Sequence, residues 1–250
     1  MSTTTKSGDP AIEAAMLVIR RGTTYFRRTL ERLSDGELDE ASLLPGWSRR
    51  HVIAHVSYNA GGICRLLNWA RTGVETPAYE SAEARDREIA TGATLEAATL
   101  RELYEDSAAR LERAWRDLPR EAWGAQITVQ GRAVPASSTL WRRTREVWLH
   151  AVDMNNGAAF TDFPTDLIDN LLVDVLNAWR QRQRTDHIPH FVLVAEDRDT
   201  VQFVGDANSP EAIVLRGTAS ALTSWATGRG SNGVSSSLPG ATVPVAPRWL

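Results

Sequence analysis

From about Ala11 to Asn156, apolar residues recur at three- and four-residue intervals, and short clusters of turn formers interrupt them. This pattern constrains the fold more than any other feature of the chain. The first segment, about Ala11 to Leu33, carries Ile12, Met16, Ile19, Tyr25, Leu30 and Leu33 and stops at Ser34-Asp35-Gly36. Pro45-Gly46-Trp47-Ser48 precedes the second, where Ser48 is a suitable N-cap and Gly73 a suitable stop after Thr72. A short helix is predicted around Ala82–Ala90. A long one is predicted over Leu95–Leu118, with Thr94 as its N-cap and Pro119 beyond its end. Gln126 to Pro135 reads as an extended excursion, and a last helix runs from Ser138 to about Asn156, closed by Gly157. Long helices joined mostly by short connections describe a helix bundle.

The pattern then changes. A helix over Thr165–Gln183 is followed by β-type runs at Phe191–Ala195, Val201–Val204 and Ala212–Leu215, a short helix at Ala219–Thr227, and a Gly/Ser/Pro-rich tail. The expected organisation is a helical bundle over residues 1–160 and a smaller α+β domain over 161–250, divided near Gly157–Pro164.

Composition removes several functional classes. A formal net charge of −3 gives no support for nucleic-acid binding, which needs a concentrated basic surface. No apolar run approaches the roughly 18 residues needed to span a bilayer, and the polar Met1–Asp9 stretch has no apolar core of a secretory signal. The single cysteine, Cys64, excludes an intrachain disulfide and fits a reducing cytoplasm.

Two constellations carry chemistry. In His51-x-x-x-His55, His55 lies beside the apolar arc of Val52, Val56 and Ile63, while His51 sits nearer the polar edge. Gly61 and Gly62 follow on the same helix, where a glycine costs roughly 1 kcal/mol against alanine; something close to that face would account for them. In Glu146-x-x-x-His150 both side chains share a narrow polar stripe with Arg142, Arg143 and Asp153, between two apolar flanks. The stripe is either solvent-facing, with Arg142 pairing with Glu146, or interior, where buried charge needs a partner or a metal. One histidine from one helix and a Glu/His pair from another make two imidazoles and a carboxylate, a donor set that suits catalytic zinc with an open position. Cys64 points away from the His55 stripe and reads as a buried structural residue. Arg229, in Gly228-Arg229-Gly230, is either a solvated loop tip or a mobile guanidinium suited to carboxylates.

Residues 45–56, Arg145-Glu146-Val147-Trp148-Leu149-His150-Ala151-Val152-Asp153, Ala226-Thr227-Gly228-Arg229-Gly230-Ser231 and Pro247-Arg248-Trp249-Leu250 resemble the DinB-like metal-binding family, and within it the mycothiol-dependent maleylpyruvate isomerases. The resemblance implies a DinB-like four-helix bundle followed by a sterol-carrier-like α+β domain. It implies zinc held by His55, Glu146 and His150, Arg229 as the catalytic and substrate-binding arginine, and Arg85 as a second substrate-binding residue. Mycothiol would be the thiol cofactor, maleylpyruvate the substrate and fumarylpyruvate the product, with the reaction in the gentisate branch of aromatic degradation. Roles for His51 and Asp153 behind the metal stay open. The same scaffold would also serve a zinc-dependent mycothiol S-transferase or a non-catalytic zinc- or thiol-sensing module.

Overall fold

The computed structural model describes residues 9–249; Met1 to Gly8 and Leu250, on which the reading of the amino terminus and the last residue of the C-terminal motif depend, lie outside it. The chain forms two compact units, residues 1–158 and 159–250. No helix among the described residues is long and apolar enough to cross a membrane.

In the first unit, α1 (Pro10–Glu31), α2 (Arg49–Thr72), α4 (Ala97–Arg116) and α5 (Ser138–Asp153) form the bundle, and the shorter α3 (Ala82–Gly92) packs on α2. α1 pairs with α5 and α2 with α4, while a lighter contact joins α2 to α5. The core between them is apolar: Met16, Ile19, Ile63, Leu67, Leu111 and Trp115 are all buried. α2 begins and ends where the sequence places it, at Ser48 and at Gly73, whose φ of 73° is the left-handed cap conformation. α4 starts later than its pattern suggests. The Thr94 hydroxyl donates to the Thr91 carbonyl at 2.8 Å and so closes the turn after α3, and Glu96 occupies the N-cap of α4. The excursion is a hairpin, β1 (Gln126–Val129) against β2 (Arg132–Pro135), turned by Gln130 and Gly131 at φ 51° and 73°.

Gly22 sets the separation of α1 and α5. A Cβ there would lie 2.4 Å from Trp148 Nε1 and 2.6 Å from Val147 Cγ2. The Trp148 indole N–H donates to the Val18 carbonyl at 3.2 Å, which holds the ring in place. Overpacking of this kind costs about 1–3 kcal/mol, against a helix-propensity gain of about 1 kcal/mol. Gly22→Ala is therefore expected to lower stability by up to about 2 kcal/mol, a fall of a few degrees in the melting temperature. Thermal unfolding followed by circular dichroism checks it, and an unchanged or raised midpoint contradicts the packing argument.

The second unit has α6 (Thr165–Arg182), then β3 (Phe191–Ala195), β4 (Val201–Val204), β5 (Ile213–Gly217), α7 (Ala219–Ala226) and the short β6 (Ser235–Ser236). The sheet order is β4-β3-β5-β6, with β3 and β5 parallel and the other pairs antiparallel. Trp179, Phe191 and Trp225 meet between helices and sheet, the two indoles edge to face at 5.5 Å. The Thr218 hydroxyl caps α7 by accepting from the Ala221 amide at 3.2 Å.

Candidate metal centre

α2 and α5 bring His55, Glu146 and His150 together. Glu146 Oε2 lies 2.9 Å from His55 Nε2 and 3.1 Å from His150 Nε2, and one ligand atom from each residue falls within 4.8 Å of the others. The two imidazoles stand at 89° to each other with centroids 4.7 Å apart, so both ring edges converge on the carboxylate. Of the two sequence readings of the α5 stripe, the interior one holds: the Glu146 side chain is 22 % exposed and that of His150 12 %. His55 is buried.

Asp153 fixes the tautomer of His150. Its fully buried carboxylate accepts from His150 Nδ1 at 2.8 Å, which leaves Nε2 facing Glu146. This carboxylate–imidazole pairing behind a ligand orients the ring and raises its basicity. His51 does something else. Its Nδ1 faces the Ser48 hydroxyl at 2.8 Å and accepts from the Ser48 amide at 3.3 Å, so the ring is folded back onto the start of α2. Trp47 packs over His55 with centroids 5.4 Å apart. On the other side Arg85 Nη2, from α3, approaches His55 Nδ1 at 3.3 Å.

The electrostatics follow from this geometry. Burial pushes the His55 imidazolium down, against the pull of Glu146. Burial alone would raise Glu146, but the facing imidazoles outweigh it and hold the carboxyl well below the usual range. Burial opposes charge on His150 as well. There Asp153 and Glu146 win and push it up to about 9. The cluster keeps its carboxylate ionised and aims the Nε2 atoms of both imidazoles at it, so a cation binding there would displace the proton that His150 holds. The donors also fit by type: two nitrogens and one oxygen suit a borderline divalent ion such as zinc.

Beneath the ligands Arg143 is 1 % exposed and donates to the Val56 carbonyl at 2.7 Å and to Asn59 Oδ1 at 3.0 Å, tying α5 to α2 next to His55. Its place on the polar stripe was visible in sequence; its burial was not. Of the paired glycines, Gly62 is explained: a Cβ would lie 3.2 Å from the Ala78 carbonyl oxygen, whereas Gly61 faces open space. Cys64 is half-buried rather than buried, packs against the core on the far side, and has its thiol pKa raised by burial. Neither its position nor its basicity suits a nucleophile.

Asp153→Asn keeps the size of the side chain and removes the charge behind His150. It is expected to weaken metal binding by about 10- to 100-fold, measured by chelator competition. Unchanged affinity would show that His150 needs no such support.

Arg229 belongs to the second unit, just past α7. Its amide donates to the Ser224 carbonyl at 2.9 Å and its Nη1 to the Thr227 carbonyl at 2.8 Å. Gly228 at φ 78° and Gly230 at φ 118° flank it, backbone conformations that glycine adopts without strain.

The chain is matched over residues 19–155 by the model of the mycothiol maleylpyruvate isomerase N-terminal domain and over residues 162–247 by that of the corresponding C-terminal domain. Among solved structures it resembles a mycothiol-dependent maleylpyruvate isomerase with 42 % identity and a TM-score of 0.87, over 95 % of this chain and 97 % of that one. A histidine-to-alanine mutant of a mycothiol-dependent maleylpyruvate isomerase matches with the same figures. No curated protein matches the chain. With both units matched in order by the two halves of one enzyme family, the chain belongs to the mycothiol maleylpyruvate isomerase family.

Proposed function

We propose that the protein is a zinc- and mycothiol-dependent isomerase that converts maleylpyruvate to fumarylpyruvate in the gentisate branch of aromatic degradation, acting in the cytoplasm. The observation that carries this reading is the convergence of His55, Glu146 and His150 on one point, backed by Asp153. When bound there, zinc would lower the pKa of a thiol until it is a thiolate at neutral pH. A carbon–carbon double bond does not rotate, whereas the single bond left by reversible thiol addition does. The chain's own Cys64 is unsuited to that role, so the sulfur comes from outside it.

The protein's part is to hold charge. Addition to a conjugated alkene places negative charge on the carbonyl oxygen, and Arg229 is the group assigned to stabilise it and to grip a substrate carboxylate through its planar fork. Arg85 is assigned the second carboxylate. With Nε2 of His55 committed as a ligand, the ring proton resides on Nδ1, where a guanidinium 3.3 Å away no longer has an acceptor. Arg85 is then released to bind an anion in the adjoining space.

A maleylpyruvate isomerisation assay with and without mycothiol tests the reading. Thiol-dependent conversion with the thiol recovered at the end supports it. A stable thioether that consumes mycothiol identifies an S-transferase. Zinc binding without turnover of any electrophile identifies a sensing module.

A further inference from the structure

A cleft of about 680 Å³ opens beside the metal centre, lined among others by Tyr58, Arg65, Tyr79, Glu80, Arg87 and Glu88. Its floor is the same face of α2 that carries His55. Tyr58 follows His55 by three residues, Gly62 by seven and Arg65 by ten, so the strip runs about 15 Å along the helix axis. Its walls are α3 and the segment before it. That segment lies directly on α2 at Gly62, and α3 closes on Tyr58 at Gly92, where a Cβ would meet the Tyr58 ring at 2.6 Å.

The lining is aromatic and ionic in alternation. Arg65 lies over the Tyr79 ring at 5.4 Å, donates through Nε to the Ala78 carbonyl at 2.8 Å, and stands 3.9 Å from Glu88 Oε2. Two polar atoms here have no hydrogen-bond partner among the described residues: the Tyr79 hydroxyl and Glu88 Oε2. Orphaned buried polar atoms are costly and mark places where a ligand completes the network. Tyr79 also links the cleft to the metal centre, because its phenol feels Arg85 and Glu146 as well as Glu88 and Arg65. Burial holds its pKa at about 12, so it remains a hydrogen-bond donor.

We propose that this cleft seats the glucosaminyl-inositol end of mycothiol, with the cysteinyl arm directed along α2 toward His55. The proposal rests on the reading of the protein as a mycothiol-dependent enzyme. Two arginines and two glutamates cancel in the lining, which suits an uncharged polyol and disfavours a dianionic acid. Tyrosine faces and paired ionic groups are what sugar rings and hydroxyls bind. The volume lies within the range of pockets that hold ligands of this size, about 300–1,000 Å³.

Calorimetry on the zinc-loaded full chain, comparing mycothiol with N-acetylcysteine, tests it. N-acetylcysteine carries the thiol arm without the sugars. Tyr79→Phe and Glu88→Gln are each expected to raise the Kd for mycothiol about tenfold, with N-acetylcysteine affinity and zinc content unchanged. Tyr79→Phe should also melt no lower than the parent, because its hydroxyl has no partner to lose. Free glucosaminyl-inositol should displace mycothiol from the parent protein. An unchanged mycothiol Kd in both variants, equal weakening of both thiols, or no displacement by the sugar fragment would overturn the assignment of the cleft. Failure of the parent to bind mycothiol at all would instead overturn the reading of the enzyme on which it rests.

Discussion

His55→Ala is expected to remove both the metal and the activity. Two ligands would remain, Glu146 and His150, and both come from α5, so the centre would lose the ligand that α2 supplies. Loss of a catalytic metal forfeits several kcal/mol of transition-state stabilisation, a rate decrease on the order of 10³ or more. The fold should persist, because Arg143 still ties α5 to α2 through the Val56 carbonyl and Asn59. Metal content by mass spectrometry, activity with mycothiol present, and far-ultraviolet circular dichroism together check this. Full metal occupancy in the variant would sink the assignment of His55. A lost helical signal would mean that folding, not ligation, had failed.

Arg229→Ala is expected to separate charge stabilisation from metal binding. Zinc content should equal that of the parent, since Arg229 is in the other unit from the ligands. Turnover should fall by a factor on the order of 10²–10³, the usual cost of removing one preorganised electrostatic partner of a developing oxyanion. Arg229→Lys should recover only part of this, because an ammonium keeps the charge but not the two-pronged fork. The loop loses the Arg229 bond to the Thr227 carbonyl, while Gly228 and Gly230 and the Arg229 amide bond to the Ser224 carbonyl still set its backbone. Steady-state kinetics alongside metal analysis decide the matter. Normal turnover in the alanine variant would move the catalytic cation elsewhere.

What could be read from the sequence was what local chemistry dictates. α2 was legible to the residue because a hydroxyl opens it and a glycine closes it, and both signals act on the nearest backbone. α4 was misplaced at its start because Thr94 bonds backward to Thr91, a choice that the composition of the turn does not reveal. The hairpin at residues 126–135 appeared only as an extended run, since Gln130 has no strong preference for the left-handed region it occupies. β6 was missed because Ser235 and Ser236 carry no pattern and are held by main-chain pairing to β5. At the site, the four-residue spacing of Glu146 and His150 was visible, but choosing between solvent and interior needed the facing helix. The cleft was not legible, because Tyr58 and Tyr79 come to line it only through the close approaches at Gly62 and Gly92.

The unbroken line from Asp153 through His150 and Glu146 to His55 has a consequence for how the protein acquires its ion. Small zinc modules gain their fold from the metal and lose it to a chelator. Here the ligating side chains already hold one another in place, so loading becomes an exchange of a proton for an ion. His150 binds its proton more tightly in the folded chain, so that contribution to stability is full below its ordinary value of 6.5 and fades as pH rises through about 9. A cation arriving at that nitrogen takes over the role that the proton gives up. The stripped protein should therefore stay folded, with uptake limited by deprotonation and ion supply rather than by refolding of the bundle.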